Sequence, residues 1–265
     1  MTYGFLGAGN MASAIIRGMT RAGVPGADIL VYDVSAAALD KLAADCGTVP
    51  QPDMPALAEK ADVLVLAVKP QVLTPLFPAL KAALGQKQSL IISIAAARPL
   101  ADLEAGLGQR PIVRVMPNIN AKAGAATSAF CTNERVTEAH RNTVKEIFGA
   151  VGSIDELAES LFPVFSALAG SSPAFAYLYI DALARAAVRY GLPKQLALKF
   201  SAQTALGSAK LVLESGEHPY ALADQVCSPA GTTIEGVCAL QQNGFEAALA
   251  QALAAVVEKD RKLQG

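Results

Sequence analysis

A glycine-rich turn between a short apolar run and an amphipathic stretch constrains this chain more than any other feature. Gly7-Ala8-Gly9-Asn10-Met11-Ala12 follows apolar residues 2–6 and opens a helical pattern over 10–22 that ends at Gly23. The G-x-G-x-x-G/A spacing has a physical basis. Its first glycine makes a tight turn, the second lets backbone approach a pyrophosphate, and a small third residue packs helix on strand. The helix start then offers N–H groups and a partial positive charge. Asp33 closes the next apolar run, 29–33, about 20 residues further on, where an acid can accept from an adenosine ribose. These residues predict a dinucleotide site at Gly7, Ala8, Gly9, Asn10, Met11 and Ala12, with Asp33 at its ribose end. An acid there favours NADH over NADPH; no Arg lies nearby in sequence, and Lys41 is the next basic residue. The other role open to Asp33 is capping a helix that starts near Ser35.

Short apolar runs continue at 61–68, 90–95, 112–116 and 125–131, with helical patterns between them that include 36–46, 72–84 and 99–107. Near-continuous apolar strands alternating with helices predict an α/β fold, a Rossmann-type doubly wound sheet with helices on both faces. After about Gly152 the pattern changes. No period-two run follows Ile154; Ala/Leu-rich segments at 173–190, 193–215, 219–226, 232–243 and 245–263 read as helices punctuated by Pro and Gly. We therefore divide the chain into a dinucleotide-binding domain, 1–155, and an all-helical domain, 156–265. The 52 alanines among 265 residues, with no Trp, suit helices packed at close range. With only 17% charged residues, so many helices leave apolar surface that favours a helix-mediated oligomer.

Charge excludes other classes. Twenty-two Lys+Arg against 23 Asp+Glu, with no basic run, remove the electrostatic case for nucleic acid or an anionic membrane. Residues 161–180 are uncharged and long enough to span a bilayer, but Pro163 and Gly170-Ser171-Ser172-Pro173 interrupt them. We read them as two core segments around a turn, in a soluble cytoplasmic protein, and expect no signal peptide at the N-terminus. Cys46, Cys131, Cys227 and Cys238 form no C-x-x-C pair, so we expect no metal site and reduced, mostly buried thiols.

A second loop, Cys227-Ser228-Pro229-Ala230-Gly231-Thr232-Thr233, lies between two helical patterns. Its small residues let backbone approach a ligand, and the following helix start suits a carboxylate. Read alone, it is an ordinary helix–helix turn with Ser/Thr capping. The segment Asp224-Gln225-Val226-Cys227-Ser228-Pro229-Ala230-Gly231-Thr232-Thr233-Ile234-Glu235-Gly236 resembles the signature of pyrroline-5-carboxylate reductases. In family order stand Gly7 to Ala12, Ala67-Val68-Lys69-Pro70, Ser93-Ile94-Ala95-Ala96, Arg114-Val115-Met116-Pro117-Asn118 and Gly170-Ser171-Ser172-Pro173-Ala174.

That resemblance implies NAD(P)H-dependent reduction of 1-pyrroline-5-carboxylate to L-proline, the final step of proline biosynthesis. It implies a helical dimerisation domain and a homodimer at minimum, a higher oligomer of dimers staying open. Ala67, Val68, Lys69, Pro70, Ala95 and Ala96 would join Gly7 to Ala12 around the cofactor. Ser228, Pro229, Ala230, Gly231, Thr232 and Thr233 would hold the substrate carboxylate, with the Thr233 hydroxyl near the ring nitrogen as the catalytic group. The family commonly uses NADPH, against the plain reading of Asp33, so the coenzyme stays NADPH or NADH. Three departures stand out: Asn120 for a usual Pro, Ala97-Arg98 for Gly-Val, and Ala230 for the first of two glycines. A protonated imine is already electrophilic, so no strong general acid is required; His140 and His218 are expected to be solvated. A hydroxyacid dehydrogenase of similar build would place a Lys on the helix over 173–190, which has none.

Overall fold

The computed structural model describes residues 1–96 and 98–264 and divides into two compact units, Met1–Gly170 with the end of the chain from Val257, and Ser171–Val256. In the first unit strands alternate with helices: β1 (Tyr3–Leu6), α1 (Asn10–Arg21), β2 (Ile29–Tyr32), α2 (Ala36–Cys46), β3 (Val49–Pro50), α3 (Met54–Lys60), β4 (Val63–Leu66), α4 (Pro70–Leu84), β5 (Leu90–Ser93), α5 (Leu100–Leu107), β6 (Ile112–Met116), β7 (Ala126–Thr132), α6 (Glu138–Gly149) and β8 (Gly152–Glu156). The strands form one sheet of order β3-β2-β1-β4-β5-β6-β7-β8, parallel except between β6 and β7. Successive side chains leave a strand on opposite faces. Phe5, Val31, Val65, Ile92 and Val113 pack under α1, α2 and α6 with Ile15, Ile16, Leu42 and Phe148; Leu6, Leu30, Leu64, Leu66 and Ile91 pack under α3, α4 and α5 with Leu57, Leu73, Leu80 and Leu103. Each such side chain contributes about 1.5–3 kcal/mol by leaving water, so the two-faced core fixes the register of the central strands.

Two parts of this unit depart from the sequence-based reading. The polar strand β8 extends the sheet past the point where alternation stops, because it pairs parallel to β7 with Ser128 opposite Ile154. Residues 161–180 contain no turn. α7 (Phe162–Phe165), a π-helical stretch Ser166–Ser171 and α8 (Ser172–Arg189) follow one another as a continuous helical run. The reason is Pro173, whose ring would strike the carbonyl four residues back and which offers it no N–H. That carbonyl, on Ala169, lies in the widened π stretch and accepts from Asn118 Nδ2 at 3.1 Å. The beginning of the run is held to the sheet: Arg114, 5% exposed on β6, pairs with Glu159 at 2.8 Å and stacks 4.5 Å over Phe162. The compact units divide at Gly170, within this helical run, while the sheet itself ends at Glu156.

The second unit contains α8, α9 (Lys194–Ser215), α10 (Pro219–Val226), α11 (Thr232–Gln242) and the first part of α12 (Phe245–Gln264). Among its described residues few side chains are buried, and Tyr177, Leu178, Leu206, Leu213 and Val226 are more than half exposed. An apolar groove of about 760 Å³ runs between α8, α11 and α12, with Phe175, Tyr179, Leu183 and Leu249 in its walls. The thiols differ from expectation: Cys131 is buried, while Cys46, Cys227 and Cys238 are half-buried. Burial, then the nearby Glu159 carboxylate, pushes the Cys131 thiol up to about 12.

Candidate active site

The parallel strands end along one edge, and there the first set of predicted residues meets. Gly7 follows β1, Asp33 follows β2, Ala67 follows β4 and Ala95 follows β5. The junctions are tied strand to strand: Gly7 N–H donates to Tyr32 O at 2.8 Å, Ala67 N–H to Leu6 O at 2.8 Å and Ile94 N–H to Leu66 O at 3.1 Å. Strand order reverses between β1 and its neighbours β2 and β4, the crevice where open α/β sheets take their ligands. Gly7 has φ +113°, and a Cβ there would lie 2.8 Å from Ala67 O, so this position accepts glycine alone. A Cβ on Gly9 would meet open space, which leaves that side of the turn free for a ligand. Gly9 precedes α1 without any side-chain cap and no acid occupies the first turn, so the helix keeps its positive end for phosphate. Ala12 is buried against the sheet, the packing role its place in the motif requires.

Asp33 takes neither of its expected roles alone. Its Oδ2 accepts from Ala8 N–H at 2.7 Å and its Oδ1 from Ser35 N–H at 2.8 Å, so the carboxylate locks the turn to the tip of β2. The cap of α2 is the Ser35 hydroxyl, which accepts from Ala38 N–H. Each Asp33 oxygen retains a lone pair for a ribose hydroxyl. A cleft of about 570 Å³ opens beside Ala8, Gly9 and Asn10 and is lined further along by Arg17, Arg21, Lys41 and Lys122. Linear sequence pointed only to Lys41. The helical period brings Arg17 and Arg21 to the same face of α1, and no sequence signal marks Lys122. Arg17 is paired with Asp45 at 2.8 Å. Lys69 caps α4 by position, with Pro70 as its first helical residue, and is exposed. Arg98 binds Asp102 at 3.3 Å and the Thr74 hydroxyl, so it braces α5 against α4; its neighbour Ala97 lies outside the described residues.

The second set lies in the second unit. Ser228, Pro229, Ala230 and Gly231 form the turn between α10 and α11, and Thr232 and Thr233 are the first two residues of α11. α11 begins at Gly231 with no side-chain cap, so Ser and Thr here do not seal the helix start. A Cβ on Gly231 would lie 2.2 Å from Ser228 Oγ. α10 is anchored by Tyr220, whose hydroxyl donates to Glu246 Oε1 at 2.5 Å. The histidines serve local structure: His140 closes a capping box with Thr137, and His218 Nδ1 accepts from Tyr220 N–H at 3.2 Å. Among the described residues no cluster of His, Cys, Asp and Glu could hold a metal.

Known proteins share both halves. Residues 159–263 match the family described as pyrroline-5-carboxylate reductase dimerisation, and residues 2–97 that described as NADP oxidoreductase, coenzyme F420-dependent. Pyrroline-5-carboxylate reductase of Escherichia coli K12 is 40% identical over 98% of this chain and 97% of its own length. The chain belongs to the pyrroline-5-carboxylate reductase family. It is an NAD(P)-dependent oxidoreductase by that membership. The solved family structure from Coxiella burnetii superposes with a TM-score of 0.95 at 33% identity, covering 100% of this chain and 98% of that one. The Plasmodium falciparum family member, solved with NADP bound, gives 0.88 at 29% identity, over 100% and 98%.

Proposed function

We propose that this chain reduces 1-pyrroline-5-carboxylate to L-proline, with NADH as its preferred dinucleotide, and acts as a homodimer at minimum. The observation that carries the reading is family likeness along 98% of the chain, and it is supported by both predicted loops leading into helix starts that carry no side-chain cap. When bound, the dinucleotide supplies the hydride. Gly7 to Ala12 and the start of α1 hold its pyrophosphate; Ala67 to Pro70, Ala95 and Ala96 line the remainder of that edge. The Ser228 to Thr233 segment holds the substrate carboxylate on backbone N–H groups at the start of α11. Thr233 orients the imine nitrogen, and positioning supplies most of the acceleration. The apolar surface of the second unit is assigned to a second copy of the chain, in keeping with the dimerisation family it matches. The compartment we assign is the cytoplasm.

Two predictions test the residues. Following NADH and NADPH oxidation separately with racemic substrate, kcat/KM is expected to favour NADH at least tenfold, because the locked Asp33 carboxylate repels a 2′-phosphate. Asp33→Asn removes the charge together with one of the two acceptors that hold Ala8 and Ser35 N–H, and is expected to shrink that ratio about tenfold. Absence of turnover in folded protein that still binds dinucleotide overturns the reductase reading; a preference for NADPH overturns the role of Asp33. Thr233→Ala is expected to lower kcat about 10- to 100-fold while the dinucleotide Kd changes less than twofold. Unchanged turnover removes Thr233 from the mechanism.

A further inference from the structure

We infer that Ala230 makes the carboxylate loop a two-state turn, and that the conformation held in this structure is the one that binds substrate. The inference rests on the reductase reading of the same loop. Gly231 N–H donates to Ser228 O at 2.9 Å, closing a four-residue turn over Ser228-Pro229-Ala230-Gly231. Pro229 holds the second position near φ −65°, while Ala230 in the third has φ +56°. Proline followed by a positive φ defines a type II turn, whose third position calls for glycine or asparagine. Ala230 is the one non-glycine residue with positive φ among the described residues.

An alanine in the left-handed region is disfavoured roughly fivefold or more relative to its right-handed form. A relaxed alternative is close at hand. Rotating only the Pro229–Ala230 peptide converts type II to type I, keeps the closing hydrogen bond and the proline φ, and returns Ala230 to a negative φ. Ser228, Pro229 and Ala230 are exposed in this chain, so packing within it does not block the rotation. The rotation exchanges the faces to which the Pro229 carbonyl and the Ala230 N–H point. A carboxylate gains from the N–H and is repelled by the carbonyl, so the two turns are not equivalent to it. Apparent affinity then falls by the fraction of loop in the binding turn. The neighbouring glycine cannot share this role, because a side chain at 231 would collide with Ser228 Oγ.

The test compares wild type with Ala230→Gly and Ala230→Asn, measuring KM for racemic 1-pyrroline-5-carboxylate and Kd for NADH. Ala230→Gly is expected to lower the imine KM about fivefold, and Ala230→Asn to fall between it and wild type, with NADH Kd moving less than twofold. An imine KM that is unchanged or raised in Ala230→Gly overturns the inference while an active enzyme leaves the reductase reading standing. A parallel change in NADH Kd overturns it too, because a global loosening would then account for the effect. A wild-type chain inert toward the imine overturns the reductase reading and the inference together.

Discussion

Gly7→Ala is expected to weaken NADH binding more than 100-fold, read by fluorescence titration. At φ +113° an L-side chain is strained wherever it points, and here its Cβ would lie 2.8 Å from Ala67 O and 3.2 Å from Val68 Cγ1. Neither partner has room to retreat. Ala67 is bonded through its N–H to Leu6 O, and β1 and β4 are paired residue for residue from Tyr3 to Leu6. The turn must open, which carries Ala8 away from Asp33 and unseats the start of α1. Gly9→Ala serves as the complement: its Cβ meets no protein atom within 4 Å, so the fold is expected to keep its melting temperature. Its NADH affinity should still fall at least tenfold, since the methyl occupies the side of the turn left for phosphate. Binding within fivefold of wild type in both variants would place the dinucleotide elsewhere.

Arg110→Ala is expected to cost about 3–5 kcal/mol and lower the melting temperature by roughly 10 °C, measured by thermal unfolding. The guanidinium is 6% exposed and no carboxylate among the described residues is bonded to it. It donates instead to three backbone carbonyls: Nε to Leu107 O at 2.8 Å, Nη1 to Lys87 O at 2.7 Å and Nη2 to Gly85 O at 2.9 Å. These lie at or just beyond the ends of α4 and α5, where carbonyls lack helical donors and carry the negative end of the dipole. Burial lowers the Arg110 pKa from its ordinary value, yet an arginine remains charged at neutral pH. Truncation would strand three acceptors together, and Arg110→Lys, with one nitrogen for three carbonyls, is expected to recover less than half of the loss. A melting temperature within 2 °C of wild type for Arg110→Ala would show that water replaces the guanidinium freely. Nothing at Arg110 in the sequence marks it as more than a surface charge before β6.

Local chemistry made much of this protein legible. The turn at Gly7 to Ala12, the apolar strands and the proline-led, glycine-ended helices each follow from interactions within a few residues, so their order along the chain already dictates a doubly wound sheet followed by helices. Both candidate loops were readable for the same reason, since each is a short segment that ends at a helix start. What depends on partners distant in sequence was not readable. β8 is polar and becomes a strand only because β7 offers it an edge. The helical run through Gly170 survives Pro173 because Asn118, distant in sequence, donates to the Ala169 carbonyl. Asp33 was visible as an acid in the right place, but only the fold shows each of its oxygens accepting one backbone N–H, from Ala8 and from Ser35. Arg17, Arg21, Lys41 and Lys122 come from three elements and become one cleft lining through packing alone. The sequence alone determined the order of elements and the chemistry of the two loops, because short-range sterics and periodicity set both. Tertiary structure alone decided which polar groups are satisfied and where the units divide, because a hydrogen bond or an ion pair across the fold has no signature in either partner's neighbours.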